Sequence, residues 1–335
     1  MIKFDELKQE FITLRRKVNH GDIFQSLGDL MKESLNKIPP QPLTVVSLPV
    51  DGEFALNRIQ SYTHEINQLS ENEDFDVDSH DFRVKDTDLE IIVEQLANPI
   101  AKYRDTGAFF FLSDVIQNDL LTHEQLIWLT DYLISDEQLF AHILEPQNDA
   151  IYRRSFSVMV LSLLLFSNRI KASFMSEKQM DRVINQVALY AALERDGRGF
   201  INDNGWAHAF THIGNTVSEI FLMPDLVRAD KMFVLGAVLS GYRELSQPLT
   251  FGETSRLVEV IIYVANQHDL YADYLLFNLK MWRKDLVTHT PPHTQRQWQQ
   301  LYNRSQFFHE ILLRGKNDVP EAVFDYVNMT KNYLA

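Results

Sequence analysis

The residues best able to do chemistry in this chain lie in Asn204-Gly205-Trp206-Ala207-His208-Ala209-Phe210-Thr211-His212 and the run from Ile213 to Phe221. Imidazole titrates nearest neutrality, so it can trade a proton, hold a hydrogen bond or ligate a metal. Two histidines four apart share one face of a helix and can hold an ion between them, as in His-Glu-x-x-His enzymes. Here Ala209 follows His208 in the place of the catalytic glutamate, which excludes that mechanism. A third ligand would have to come from Glu219, or from Glu194, Asp196 or Asp203 outside the helix. His208 and His212 are thus the metal candidates, and no cofactor is strongly implied.

The element that must position these residues reads as one helix over 205–221. At about 100° per residue, Phe210, Ile213, Val217, Ile220 and Phe221 all fall within about 60° of Trp206. His208, His212, Asn215 and Glu219 gather opposite, with not one Lys or Arg among them. A surface helix normally carries long charged residues on its wet face, so this stripe points into a cleft or a buried network. Three readings stay open: a structural hydrogen-bond network, a ligand or substrate site, and a metal site. The candidate binding residues are Trp206, His208, His212, Asn215, Glu219, Arg198 and Asp196.

The approach to the helix, Glu194-Arg195-Asp196-Gly197-Arg198-Gly199, alternates charge with two glycines that permit a left-handed backbone. Asp203 or Asn204 is the expected N-cap. The helix start, with Arg198 close by, could receive an anion, although capping by the loop's own acids is preferred.

Other polar points carry less. Arg153 and Arg154 open an apolar helix and should meet carboxylates. Arg104-Asp105 reads as an ion pair at a helix start. Glu253 and Arg256, three apart, read as a local pair worth little when exposed. His289 and His293 flank a proline turn read as a surface loop. No nucleophile elbow, P-loop or dinucleotide fingerprint occurs.

Helical periodicity continues along the chain, over 4–18, 22–36, 53–69, 87–97, 106–117, 122–134, 151–168, 177–193, 205–221, 225–241, 254–267, 269–284, 294–313 and 320–333. Thr122 with Gln125 and Ser176 with Gln179 are start signals, and Pro320 suits a first turn. Leu43 to Val46 is hemmed in by Pro39, Pro40, Pro42 and Pro49 and reads as an extended connector. Glu71 to Asp81 holds six acids in eleven residues and lacks the glycine and terminal glutamate of a calcium loop. It marks a seam between a helical segment, 1–85, and the remainder, 86–335. From about residue 87 the hairpins recur roughly every 40 to 45 residues, as in stacked two-helix repeats. The expected fold is all-α: an α/α superhelix of stacked hairpins, HEAT- or armadillo-like, or an incomplete α/α toroid.

Composition bounds the rest. The 335 residues are 45% hydrophobic and 23% charged, as in globular proteins. The 12 glycines and 11 prolines are few for an all-β design. With no cysteine, disulfides and thiol catalysis are excluded and a reducing cytoplasm is the expected compartment. The stretch Met1-Ile2-Lys3-Phe4-Asp5-Glu6 shows no charged-then-apolar signal pattern. The most apolar run, Phe156 to Phe166, falls short of the roughly 20 residues a membrane helix needs. A net charge of −14 repels phosphate backbones. No nucleic-acid or membrane partner is therefore expected.

The central residues resemble a bacterial family known as domain-of-unknown-function family 2785. Its pattern is an Arg-Ser-Phe-Ser-like helix start, a Glu-x-Asp-x-Arg-Gly loop, then Gly-Trp-x-His-x-x-x-His. Here these are Arg154-Ser155-Phe156-Ser157, Glu194 to Gly199, and Gly205-Trp206-Ala207-His208 with His212, and the resemblance spans roughly residues 95 to 270. Arg104-Asp105 and Glu253 to Arg256 resemble family positions too. Relatives commonly carry aspartate where this chain has Asn215, so a ligand or base role there would be weakened. The resemblance implies an all-helical protein and supplies no activity. The expectation is a binding or scaffold protein whose polar groove accepts a protein, peptide or small molecule. The alternative is an enzyme such as a metal-dependent hydrolase, working through His208 and His212.

Overall fold

The computed structural model describes residues 2–70, 82–171, 173–288 and 291–331. The all-α expectation holds: among the described residues there is one isolated β-bridge, Phe200 to Trp206, and no strand. The helices are α1 (Phe4–His20), α2 (Leu27–Leu35), α3 (Gly52–Ser70), α4 (Asp86–Glu94), α5 (Ala101–Tyr103), α6 (Phe110–Gln117), α7 (His123–Leu133) and α8 (Asp136–Leu139). They continue as α9 (Ala150–Ile170), α10 (Glu177–Leu193), α11 (Ala209–Leu222), α12 (Arg228–Glu244), α13 (Glu253–Ala265), α14 (Asp269–Thr288), α15 (Gln295–Arg314) and α16 (Glu321–Thr330). The expected boundaries agree within a few residues nearly throughout. Thr122 caps α7 through a reciprocal bond with Gln125, and the Ser176 hydroxyl accepts from the Gln179 N–H at 3.2 Å. The acidic stretch 71–81 and His289 lie outside the described residues.

The chain divides into two compact units. The first gathers Met1–Gln41, Val183–Gly199 and His208–Ala335. There α1 and α2 pack on α12, α13 packs on α11, α14 and α15, and α16 closes against α14 and α15. A buried ion pair at 2.7 Å, Arg15 Nε to Asp230 Oδ1, fixes α1 to α12. Tyr242 stacks on Trp282 and donates to the Asn303 carbonyl at 2.8 Å. The core is aliphatic and aromatic, as the 3.6-residue periodicity requires.

The second unit gathers Pro42–Arg182 and Phe200–Ala207. Its centre is α9, flanked by α6, α7 and α8. This helix is long and apolar enough to cross a membrane by length and composition, so the eleven-residue apolar run understated it. Some 78% of its apolar window is buried in the protein, as a core helix requires. From Pro42 the chain runs to Asp51 without helix, turn or bend, as its prolines lead one to expect.

Candidate functional site

The stripe residues do not share one helix. The element begins at Ala209, four residues later than expected, and His208 stands before it with φ 47° and ψ 35°. Its carbonyl accepts the first helical bond, from the His212 N–H at 3.0 Å, so His208 is the N-cap in place of Asp203 or Asn204. A left-handed backbone costs an L-residue with a Cβ about 1–2 kcal/mol, so surrounding contacts must hold it there. Those contacts come from α13, which packs along α11. Gly252, also left-handed at φ 89°, turns the chain into α13 and sets Glu253 at its first position.

At this corner His208 Nδ1 lies 3.2 Å from Glu253 Oε1. The Glu253 side chain is 1% exposed and that of His208 is 17% exposed. The other carboxylate oxygen accepts the Phe251 N–H at 2.8 Å. Burial alone would raise the pKa of Glu253. Contact with His208 and the backbone N–H groups of Glu253 and Phe251 outweigh it and hold the carboxyl below its ordinary value. Glu253 is therefore an anion at neutral pH, at a helix N-terminus that favours one. Among the described residues no other hydrogen bond reaches Oε1. His212 follows one turn on, buried, with its ring 6.4 Å from that of His208. Phe251, half exposed, meets the His208 ring edge-on at 6.5 Å.

The other candidates of this unit sit on the same elements. Asn215 accepts from Arg256 Nε at 2.8 Å, and Glu219 lies half-buried near the end of α11. Arg256 also reaches Glu259, at 3.4 Å, so the expected Glu253–Arg256 pair does not form. Across three helical residues a pair reads as local, yet Glu253 turns inward to a partner from another element. Arg198 is held by Asp196 through Nε at 2.9 Å and Nη2 at 2.6 Å, so the loop satisfies its own charges. Glu194, 1% exposed, accepts the N–H groups of Arg195 and Asp196 at 3.0 Å each.

Gly197 and Gly199 have no left-handed backbone, contrary to expectation. They are small because the chain passes too close to its neighbours. A Cβ on Gly199 would fall 2.7 Å from Glu253 Oε1 and into the Phe251 ring. His208 and His212 gain no third ligand: among the described residues no group of three His, Asp or Glu is placed to hold a metal.

Trp206 belongs to the second unit. It sits in a small loop where the Ile201 N–H bonds the Gly205 carbonyl at 2.8 Å, and its ring meets Phe200 edge-on at 4.9 Å. Gly205 needs its left-handed φ of 76° there. Arg104 fastens the loop. It opens a π-helical turn, Arg104–Phe109, and is fully buried. Its guanidinium is bidentate on Asp105, at 2.8 and 3.1 Å, as the adjacent pair suggested. It also donates to the carbonyls of Asn98, Pro99 and Asn204 and stacks over Tyr152 and Phe156. Arg153, expected to meet a carboxylate, donates instead to the Gln138 side-chain oxygen and the Ser47 carbonyl.

Among the described residues, two clefts of a size to take a small molecule lie away from His208 and His212. One, of about 630 Å³, runs between α1 and α2. The other, of about 810 Å³, is lined by residues 83–90 and 122–128.

Comparison with known proteins gives one finding. The model of a family described as "protein of unknown function (DUF2785)" matches residues 139–313. No curated protein and no solved structure matches.

Proposed function

Because the chain belongs to the DUF2785 family, whose description carries no activity, we propose its function from geometry: it is a cytoplasmic binding protein that recognises a polar ligand at the His208–Glu253 corner. One observation carries this reading. A histidine is kept in a strained left-handed conformation with Nδ1 against a buried carboxylate. Strain of this kind persists where the surrounding structure over-determines it, and it gathers at ligand clamps and active sites. The couple fixes the imidazole's orientation, His212 extends the polar lining, and Phe251 offers an aromatic edge. The ligand is a small molecule or peptide segment with a hydrogen-bonding group. The absence of cysteine and of a basic stripe supports the compartment and argues against nucleic acid.

The test is a thermal-shift screen of metabolites and peptides on the full chain, repeated on Glu253→Gln. Ligands that stabilise the natural chain and lose that effect in the variant support the reading. Ligands that shift both equally sink it.

A second reading rests on the same contact. With Nδ1 committed to a carboxylate, acid–base chemistry passes to Nε2, the arrangement by which a carboxylate orients a catalytic imidazole. A hydrolase of this kind would turn over chromogenic ester, amide or phosphoester substrates, and His208→Ala would abolish turnover without unfolding. Elemental mass spectrometry completes the choice. Near-stoichiometric metal that vanishes in the folded His208→Ala/His212→Ala chain would replace both readings with a metalloenzyme.

A further inference from the structure

The stretch from Ile38 to Val50 carries no charged residue, in a chain whose net charge is −14. Within the second unit it runs from Pro42 to Asp51 without helix, turn or bend. Leu43 is 60% exposed, Val45 93% and Val50 73%. So much open aliphatic surface on a segment with no helical or sheet partner is unusual, since backbone groups and apolar side chains both gain from being covered.

The segment is nevertheless held. The Thr44 N–H and hydroxyl donate to Glu145 at 2.9 and 2.7 Å, and the hydroxyl also lies 3.1 Å from His142 Nδ1. His142 itself contacts Glu145 at 2.9 Å and has a left-handed backbone, φ 51°. Further along, Arg153 reaches the Ser47 carbonyl and Gln95 the Val50 carbonyl at 2.9 Å. Between these pins the backbone N–H and C=O groups of Leu43, Val45, Val46 and Leu48 have no hydrogen-bond partner among the described residues. The result is an extended edge whose ordering cost is already met, which is what strand addition requires.

We propose that Leu43–Leu48 is a docking edge that takes an extended, β-branched segment of a cationic partner protein as an added strand. Pro42 and Pro49 cannot donate to a ladder, so they confine the pairing to the six residues between them. Backbone hydrogen bonds supply the affinity, and the alternating side chains Leu43 and Val45 supply an uncharged surface for Val, Ile or Thr. Charge selects the partner. A second copy of this chain meets its own −14, whereas a basic protein is drawn to it. This inference is independent of the His208–Glu253 reading.

The probe is a fluorescein-labelled peptide of alternating Thr and Val flanked by lysines, titrated with the full chain and followed by anisotropy. Saturable binding is expected, weakening as salt rises. Val45→Pro removes a ladder donor from an exposed position and should weaken binding about tenfold, while circular dichroism shows the fold intact. Thr44→Val removes the hydroxyl bond to Glu145 and keeps the backbone one, so it loosens the segment without altering its edge and should weaken binding severalfold. No saturable binding, or equal binding by Val45→Pro, overturns the proposal. Equal binding of a glutamate-flanked peptide overturns the cationic partner. A concentration-dependent dimer that Val45→Pro abolishes replaces it with a second copy.

Discussion

Arg104 in one unit and Glu253 in the other are both shut away from solvent, and they are opposites in how their charge is met. Every nitrogen of the Arg104 guanidinium is engaged: five hydrogen bonds to Asp105 and three backbone carbonyls, with two aromatic faces around the group. Nothing is left over for a ligand, and the knot serves to hold a loop. Glu253 leans instead on a single histidine that stands in a strained backbone. A satisfied buried network makes a scaffold rigid, whereas a strained one is of the kind that gathers at ligand clamps.

The largest way to break this contrast is Arg104→Ala. It leaves the Asp105 carboxylate and three carbonyls without their donor, and should cost about 3–5 kcal/mol in urea unfolding. A loss under about 1 kcal/mol would show that the knot is not the scaffold element described. Next comes Gly199→Ala, whose methyl group would push into Glu253 and Phe251. It should cost about 1–3 kcal/mol and disturb ligand-dependent thermal shifts in the same stroke.

Glu253→Gln sharpens the electrostatic half and should cost about 1–3 kcal/mol at neutral pH. The carboxyl's folded pKa lies below its ordinary value of 4.5. Its contribution is therefore full above that value and is lost as pH falls through the folded pKa. The stability gap between the natural chain and Glu253→Gln should accordingly close on acidification; a gap constant with pH would refute the ionised carboxylate. The smallest effect separates strain from function. His208→Gly should be about 1 kcal/mol more stable than His208→Ala, because glycine accepts the left-handed backbone, while both lose ligand response. Equal stabilities would mean that the corner stores no strain.

Much of the helical framework was legible in the residues. The bounds of α10 agree to the residue, the Thr122–Gln125 cap forms as its spacing required, and Phe210, Ile213, Val217, Ile220 and Phe221 are all buried. These features depend on contacts within a turn or two, which spacing alone specifies. The start of α11 was not legible. Trp206 and His208 fit a helical wheel perfectly well, and the one residue that disfavours helix there, Gly205, stands at the expected helix start, where its cost is small. Trp206 is pulled out of it by a bridge back to Phe200 across the preceding loop, and His208 by a partner far along the chain, Glu253. Glu253 was missed as a site residue for the same reason. Beside Arg256 it resembles an ordinary surface pair, and only the packing of α13 on α11 turns it inward.

What the sequence determined by itself was the class of fold, the segments that become helix and the course of the proline-bounded stretch without helix or turn. All of these follow from periodicity, capping and backbone restriction, which act over a few residues. Only the tertiary structure decided that Met1–Gln41 joins the later helices, that Gly199 is small for want of space, and that His208 meets Glu253. Those are choices among distant partners. They are settled by which apolar faces bury one another, and a charged side chain is then carried wherever its helix is packed.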